Sequence, residues 1–157
     1  ERHSRGESGR LIGTLVHRLI QRVGFGEAPS AVAELAARLV RVEETVESVD
    51  ASSLLEQVVA AYDALSRRPD VQQLYTSGPA LHEVPFTMLV EGVWLRGTID
   101  CVVKRSDTAL TVLEFKTGRP REAHRVQVEL YGRAVAQMFP ECIVDAHLVY
   151  TSSSVAT

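Results

Sequence analysis

Only two cysteines, Cys101 and Cys142, occur in the 157 residues. Two thiols cannot build a disulfide framework or a four-cysteine cluster. They are expected to stay reduced, as in a cytoplasmic protein. Long apolar runs are also missing. None approaches the roughly 20 residues that a membrane span needs, so no membrane partner is expected. The N-terminal ERHSRGESGR has no hydrophobic stretch behind a basic one, which is not the pattern of a secretory leader. The chain has no initiating Met and ends in SSSVAT directly after an apolar run. These features lead to the expectation of a fragment of a longer polypeptide. Positive charge is not in excess: 17 Lys and Arg stand against 20 Asp and Glu, a net charge of −3. A free-standing nucleic-acid binder is usually basic. The balance therefore argues against non-specific DNA affinity of the domain alone. It leaves open a DNA-processing domain fed by a larger machine.

What is present fits one globular domain over residues 1–157, long enough for a real core and too short for two ordinary ones. The first half reads as helices, about residues 8–78. Leu11, Ile12, Leu15, Val16, Leu19, Ile20 and Val23 follow the 3, 4 spacing of an amphipathic helix. Ser8 is its expected N-cap, and Gly24 or Gly26 its stop. Gly13 and His17 lie on the other stripe of that helix. A glycine in a helix interior costs about 1 kcal/mol relative to Ala, so close approach of another backbone is the expected reason for Gly13. His17 reads either as a solvated or packed histidine or as a metal ligand or DNA contact. Residues 28–47 and 50–67 read as two more helices, the last with a Ser53/Glu56 capping box, and 70–75 as a short fourth. Nothing in residues 28–78 carries recognisable chemistry.

The second half, about residues 81–150, reads as strand, strand, strand, helix, strand. Pro85 argues for an edge or strand-start position in the first strand. A helix over 121–138 crosses to a last strand at 143–150, which makes that strand parallel to the one before it. The expected result is a mixed sheet with helices on both faces. Gln127 and Tyr131 lie four apart and share a helix face.

The chemistry gathers in Val93–Gly118. Two apolar runs flank a polar break at Ser106–Asp107–Thr108, the pattern of a hairpin. Centring its turn on Asp107 places Asp100 directly opposite Glu114, and alternation puts Lys116 on Glu114's face. Opposed carboxylates destabilise a sheet unless something neutralises them. A hard divalent cation, Mg2+ or Mn2+, would do so. Lys116 is placed to orient or deprotonate a bound water, or to stabilise charge on phosphorus. These are the parts of metal-assisted phosphodiester hydrolysis. For the pair alone, a surface salt bridge is the competing reading.

G-T-I-D at 97–100, L-E-F-K-T-G at 113–118 and Q-V-E-L-Y at 127–131 resemble the RecB-type nuclease domain of the PD-(D/E)XK superfamily. G-T-L-V-H at 13–17 is similar to that family's upstream histidine motif, and E-V-P-F at 83–86 to the segment before its hairpin. The resemblance runs from Ile12 to about Tyr150, in the family's order. It implies an α/β, restriction-endonuclease-like fold: a mixed central sheet flanked by helices, with an N-terminal helical portion. It implies that His17, Asp100, Glu114 and the Phe115 backbone carbonyl bind Mg2+ (or Mn2+) and that Lys116 is catalytic. It implies that Gln127 and Tyr131 support the site or touch DNA, with Glu83 as a further supporting carboxylate. The commoner family form has D-Y-K-T-G where this chain has Glu114 and Phe115, and the longer Glu arm would shift the metal. Some relatives carry an iron–sulfur cluster, which two cysteines exclude here. Such domains sit on UvrD-like helicases or their partner subunits in DNA repair and recombination. The implied activity is that of a metal-dependent deoxyribonuclease acting on single-stranded DNA delivered by helicase domains. Arg119, Arg121, His124 and Arg125 read as phosphate contacts or as a solvated loop and helix start. The alternative function is a catalytically inactive nuclease-fold module for DNA binding or scaffolding in a helicase complex.

Overall fold

A computed structural model describes residues 2–25, 29–40, 50–117 and 119–150. Described residues of 1–68, 116–119 and 150–157 form one compact unit; those of 69–115 and 120–149 form a second.

The first unit is built on α1 (Arg2–Val23), α2 (Pro29–Leu39) and α3 (Ala51–Ser66). Their apolar stripes are its core. Leu15, Val16, Leu19 and Ile20 of α1, Val32 and Ala36 of α2, and Leu54, Val58, Tyr62 and Leu65 of α3 are all buried. Two side chains tie the helices to neighbouring ends. Tyr62 Oη donates to the Gly24 carbonyl at 2.8 Å, and Arg18 Nη1 donates to the Leu39 carbonyl at 3.2 Å. The helix α1 starts before Ser8, which therefore lies inside it and is not its cap. It stops at Val23, and the Gly24 N–H donates to the Ile20 carbonyl at 2.8 Å. Gly26, and the expected continuation of α2 through Glu43, Glu44 and Glu47, lie outside the described residues.

The start of α3 differs from the sequence reading. Its N-cap is Asp50, whose carboxylate accepts from the Ser52 N–H at 3.0 Å. Ser53 sits within the first turn, and its Oγ accepts from Gln57 Nε2 at 3.3 Å, so no Ser53/Glu56 box forms. Asp50 is as good a cap as Ser53, and its use lengthens the helix. Asp50→Ala is expected to lower stability by about 1 kcal/mol. The check is a lower urea midpoint at an unchanged m value.

The second unit holds α4 (Pro69–Ser77), β1 (Ala80–Val90), β2 (Val93–Ser106), β3 (Ala109–Lys116), α5 (Glu122–Met138) and β4 (Ile143–Tyr150). The terminal residues of β3 and β4, Lys116 and Tyr150, group with the first unit. The sheet order is β1-β2-β3-β4, with β1–β2 and β2–β3 antiparallel. Pro85 accordingly lies in an edge strand. Glu91 and Gly92 link β1 to β2 with φ of 49° and 82°. Positive φ at both central residues marks a type I′ turn, whose twist matches that of the strands. The Ile143 N–H, first in β4, donates to the Thr108 carbonyl just ahead of β3 at 2.8 Å. The two strands thus start side by side and run parallel, and the sheet is mixed.

Helices cover both faces of this sheet. Val128, Ala134 and Val135 of α5 share a cluster with Val102, Leu110 and Val112. On the next residue of β2, Cys101 points the other way and meets Tyr75 of α4, with Oη to Sγ at 3.5 Å. The chain is therefore α/β, consistent with the restriction-endonuclease-like fold.

Candidate active site

The hairpin β2–β3 sets the carboxylates. Its ladder pairs Cys101 with Leu113, Val102 with Val112 and Val103 with Thr111. The paired residues end at Cys101 and Leu113; one position further, the same register would set Asp100 against Glu114, the pairing expected from the sequence. The route differs. The turn lies between Asp107 and Thr108, since Ser106 pairs with Ala109, and a bulge between Lys104 and Ser106 shifts the register by one residue. Without the bulge, a regular ladder from that turn would set Asp100 against Phe115 and turn Glu114 away. The extra residue in β2 is what sets Cys101 against Leu113, the register that would face the two carboxylates if continued.

Asp100 is half-buried, and its Oδ2 accepts from the Phe115 N–H at 2.8 Å. Glu114 is 2 % exposed and Phe115 1 %. A buried carboxylate stays ionised only where hydrogen bonds or a cation compensate its desolvation.

Glu83 stands opposite Asp100 on β1 and is kinked. Its φ is 51°, in the left-handed region that costs a non-glycine residue about 1 kcal/mol or more. The β1–β2 ladder pairs His82 with Cys101 and Val84 with Ile99, passing over Glu83 and Asp100. The core shows the consequence. Phe86, Met88 and Ile99 join the same cluster as Val102, Leu110 and Val112, which strict alternation along β2 would place on opposite faces. Alternation is interrupted at Asp100.

On α5, Gln127 and Tyr131 meet as their spacing implies, Nε2 donating to Oη at 2.7 Å. The Tyr131 ring packs edge-on against Phe86, centroids 5.2 Å apart. Arg125 is engaged by acids on its own helix: Glu122, through Nε at 3.1 Å, and Glu129 at 3.3 Å. Arg121 is the exposed N-cap residue of α5 and makes no side-chain capping bond.

In the first unit, His17 is half-buried on α1, one turn beyond Gly13. A Cβ on Gly13 would lie 2.6 Å from Thr117 Oγ1. The close approach expected at this glycine is therefore made by a side chain, that of the residue after Lys116. Lys116 is half-buried and Arg119 exposed.

Among the described residues, no three or more His, Cys, Asp and Glu side chains gather where one metal ion could be held. Asp100 and Glu114 are hard carboxylates. Mg2+ is usually held by one or two carboxylates, waters and substrate phosphates. The donor chemistry of the pair fits such an ion.

The sequence reading misses Tyr75. Its hydroxyl lies 2.8 Å from His82 Nε2 and 3.5 Å from Cys101 Sγ, beside the kink. The end of α4, a short loop and the first residues of β1 lie between Tyr75 and His82, seven positions apart, and no periodicity announces the contact. Burial lowers the His82 pKa, opposed by the charge on Glu83. Burial pushes the Cys101 thiol up to about 11, with the Tyr75 hydrogen bond opposing and the Asp100 charge adding to the rise. At pH 8 about one Cys101 in a thousand is then thiolate. Native protein is expected to take one iodoacetamide, at half-buried Cys142, and unfolded protein two, read by intact mass.

The chain matches the model of the PD-(D/E)XK nuclease superfamily over residues 2–153. It belongs to the PD-(D/E)XK nuclease superfamily. It is also similar to an ATP-dependent helicase/nuclease of Moorella thermoacetica, to one subunit of which it is 30% identical over 168 aligned residues. That alignment covers 91% of this chain and 12% of the relative's length. The superfamily generally uses divalent metals, in keeping with the carboxylate pair of this PD-(D/E)XK chain. Among its described residues no helix is long and apolar enough to cross a membrane.

Proposed function

We propose that this chain is a Mg2+-dependent deoxyribonuclease, acting on single-stranded DNA that helicase domains deliver during repair or recombination. The observation that carries the reading is the Phe115 N–H donating to Asp100 Oδ2 at 2.8 Å, which ties Asp100 to the strand that carries Glu114 and Lys116. Family membership and the helicase/nuclease relative support it. The whole chain serves as one nuclease domain of a larger helicase-nuclease.

Asp100, Glu114 and the Phe115 carbonyl, with His17, would hold the ion. Such an ion makes hydroxide available near neutral pH and stabilises charge on a phosphate oxygen. The Phe115 N–H fixes the Asp100 carboxylate. Lys116 orients the attacking water or takes its proton, and its charge offsets that developing on phosphorus. Gln127 and Tyr131 brace each other and line the site, with Glu83 as a supporting carboxylate. Arg119 and Arg121 contact phosphates, and Arg125 joins them by exchanging an acid partner for a phosphate.

The test is cleavage of an end-labelled single-stranded oligonucleotide by the purified protein with Mg2+, Mn2+ or EDTA. Products are expected with either metal and none with EDTA. Equal cutting in EDTA, or by Asp100→Ala, would overturn the mechanism. A duplex substrate alongside reads strand preference.

A further inference from the structure

We propose that Tyr75 is a positioning residue for the carboxylate pair: its hydroxyl clamps β1 to β2 beside the kink and so keeps Asp100 on the Phe115 amide. The inference rests on the nuclease reading and adds a residue outside the family motifs.

Tyr75 lies on α4, and its Oη reaches two strands at once, His82 Nε2 at 2.8 Å and Cys101 Sγ at 3.5 Å. Its ring also stacks on His82, with centroids 5.8 Å apart and planes inclined by 27°. One hydroxyl serves both contacts when His82 Nε2–H donates to the Tyr75 oxygen and the Tyr75 hydrogen points at Cys101 Sγ. His82 and Cys101 are cross-strand partners. The position after them holds Glu83, at φ 51°, and Asp100. Pairing resumes only at Val84 and Ile99. The kink is thus a gap in the ladder with Tyr75 fastening its near side.

A residue held at positive φ returns to extended geometry unless its surroundings oppose it. Contacts on both sides of the kink oppose it here. On the far side, Phe86 lies over Gly97, where a Cβ would meet the ring at 2.7 Å. On the near side Tyr75 is a polar restraint. Relaxation of Glu83 would shift β1 against β2 at the Glu83–Asp100 position and loosen the Asp100 carboxylate from the Phe115 N–H, now 2.8 Å away. A misplacement of about 1 Å at a reacting group costs on the order of 100-fold in rate.

The experiment is Tyr75→Phe, which removes one oxygen and leaves the ring on His82. Cleavage of single-stranded DNA is expected to lose on the order of 10- to 100-fold in kcat, with KM changed less than about twofold. Hydrogen exchange at the Phe115 amide, followed by NMR, is expected to speed up at least about tenfold as its acceptor moves. His82→Gln, which offers an amide donor in place of Nε2–H, is expected to restore most of both properties relative to His82→Leu. Unchanged kcat and unchanged Phe115 exchange in Tyr75→Phe, with Asp100→Ala inactive, would overturn the clamp and leave the nuclease reading standing. A fall in kcat without faster Phe115 exchange would overturn it too, because the effect would not pass through Asp100. If the parent protein itself does not cleave DNA, the nuclease reading fails, and Phe115 exchange alone decides the clamp.

Discussion

Lys116→Ala is expected to lower the rate of single-stranded DNA hydrolysis by about 1,000-fold, with DNA affinity changed less than about threefold. General acid–base catalysis by a positioned side chain contributes roughly 100- to 10,000-fold, and a charge aimed at a developing oxyanion contributes on a similar scale. The lysine closes β3 two residues after Glu114 and is half-buried. Truncating it there removes little apolar packing, so the thermal midpoint should move by no more than a few degrees. Lys116→Arg separates the two roles open to the ammonium. A guanidinium stays protonated at any usable pH. It can stabilise charge, but it cannot accept a proton from water. Recovery of a tenth or more of the parent rate by arginine points to charge stabilisation. Failure to recover, with loss of the acidic limb of the pH–rate profile, points to proton transfer to the lysine. Single-turnover kinetics measure both. A Lys116→Ala protein that cuts as fast as the parent would remove Lys116 from the chemistry.

Periodicity places most of this architecture, and its failures share a cause. Helices, strands and the crossover follow from apolar spacing, because each element must bury one face. The register of Cys101 with Leu113 is legible as well, yet for an incomplete reason. The spacing centres the turn on Asp107, whereas the chain turns between Asp107 and Thr108 and restores the same register with a bulge in β2. A bulge is a single extra residue, and alternation over a short strand does not reveal it. The cap of α3 is misplaced by sequence because Asp50 and Ser53 are both good caps. Arg125 reads as a phosphate contact or a solvated helix start, although Glu122 and Glu129 stand three and four residues away, at salt-bridge spacing. The Tyr75 contacts and the kink at Glu83 are not legible at all. They depend on where α4 lands on the sheet, a tertiary placement with no local signature.

The largest effect on stability is expected at Gly78, between α4 and β1. A Cβ built on Gly78 would lie 2.0 Å from the Lys104 carbonyl oxygen and 3.1 Å from its carbon. These are backbone atoms of β2 and cannot swing aside as a flexible side chain would. They are held in place as well, since the Lys104 N–H donates to the Pro79 carbonyl at 2.9 Å, one residue from Gly78. The start of β1 is fastened there, with Ala80 paired to Val103. Gly78→Ala must therefore break the Lys104–Pro79 bond or push the end of α4 away from the sheet. Overpacking typically costs about 1–3 kcal/mol and occasionally more, and the lost backbone bond adds about 1 kcal/mol. The sum is about 3 kcal/mol, equivalent to a fall of roughly 6–12 °C in Tm for a chain of this size. Gly9→Ala is the control. Nothing lies within 4 Å of its added Cβ in α1, and a helix interior favours Ala over Gly by about 1 kcal/mol. The two Gly→Ala changes should thus move the urea midpoint in opposite directions. If Gly78→Ala instead unfolds at the parent midpoint, α4 does not approach β2 as closely as the Gly78–Lys104 geometry requires.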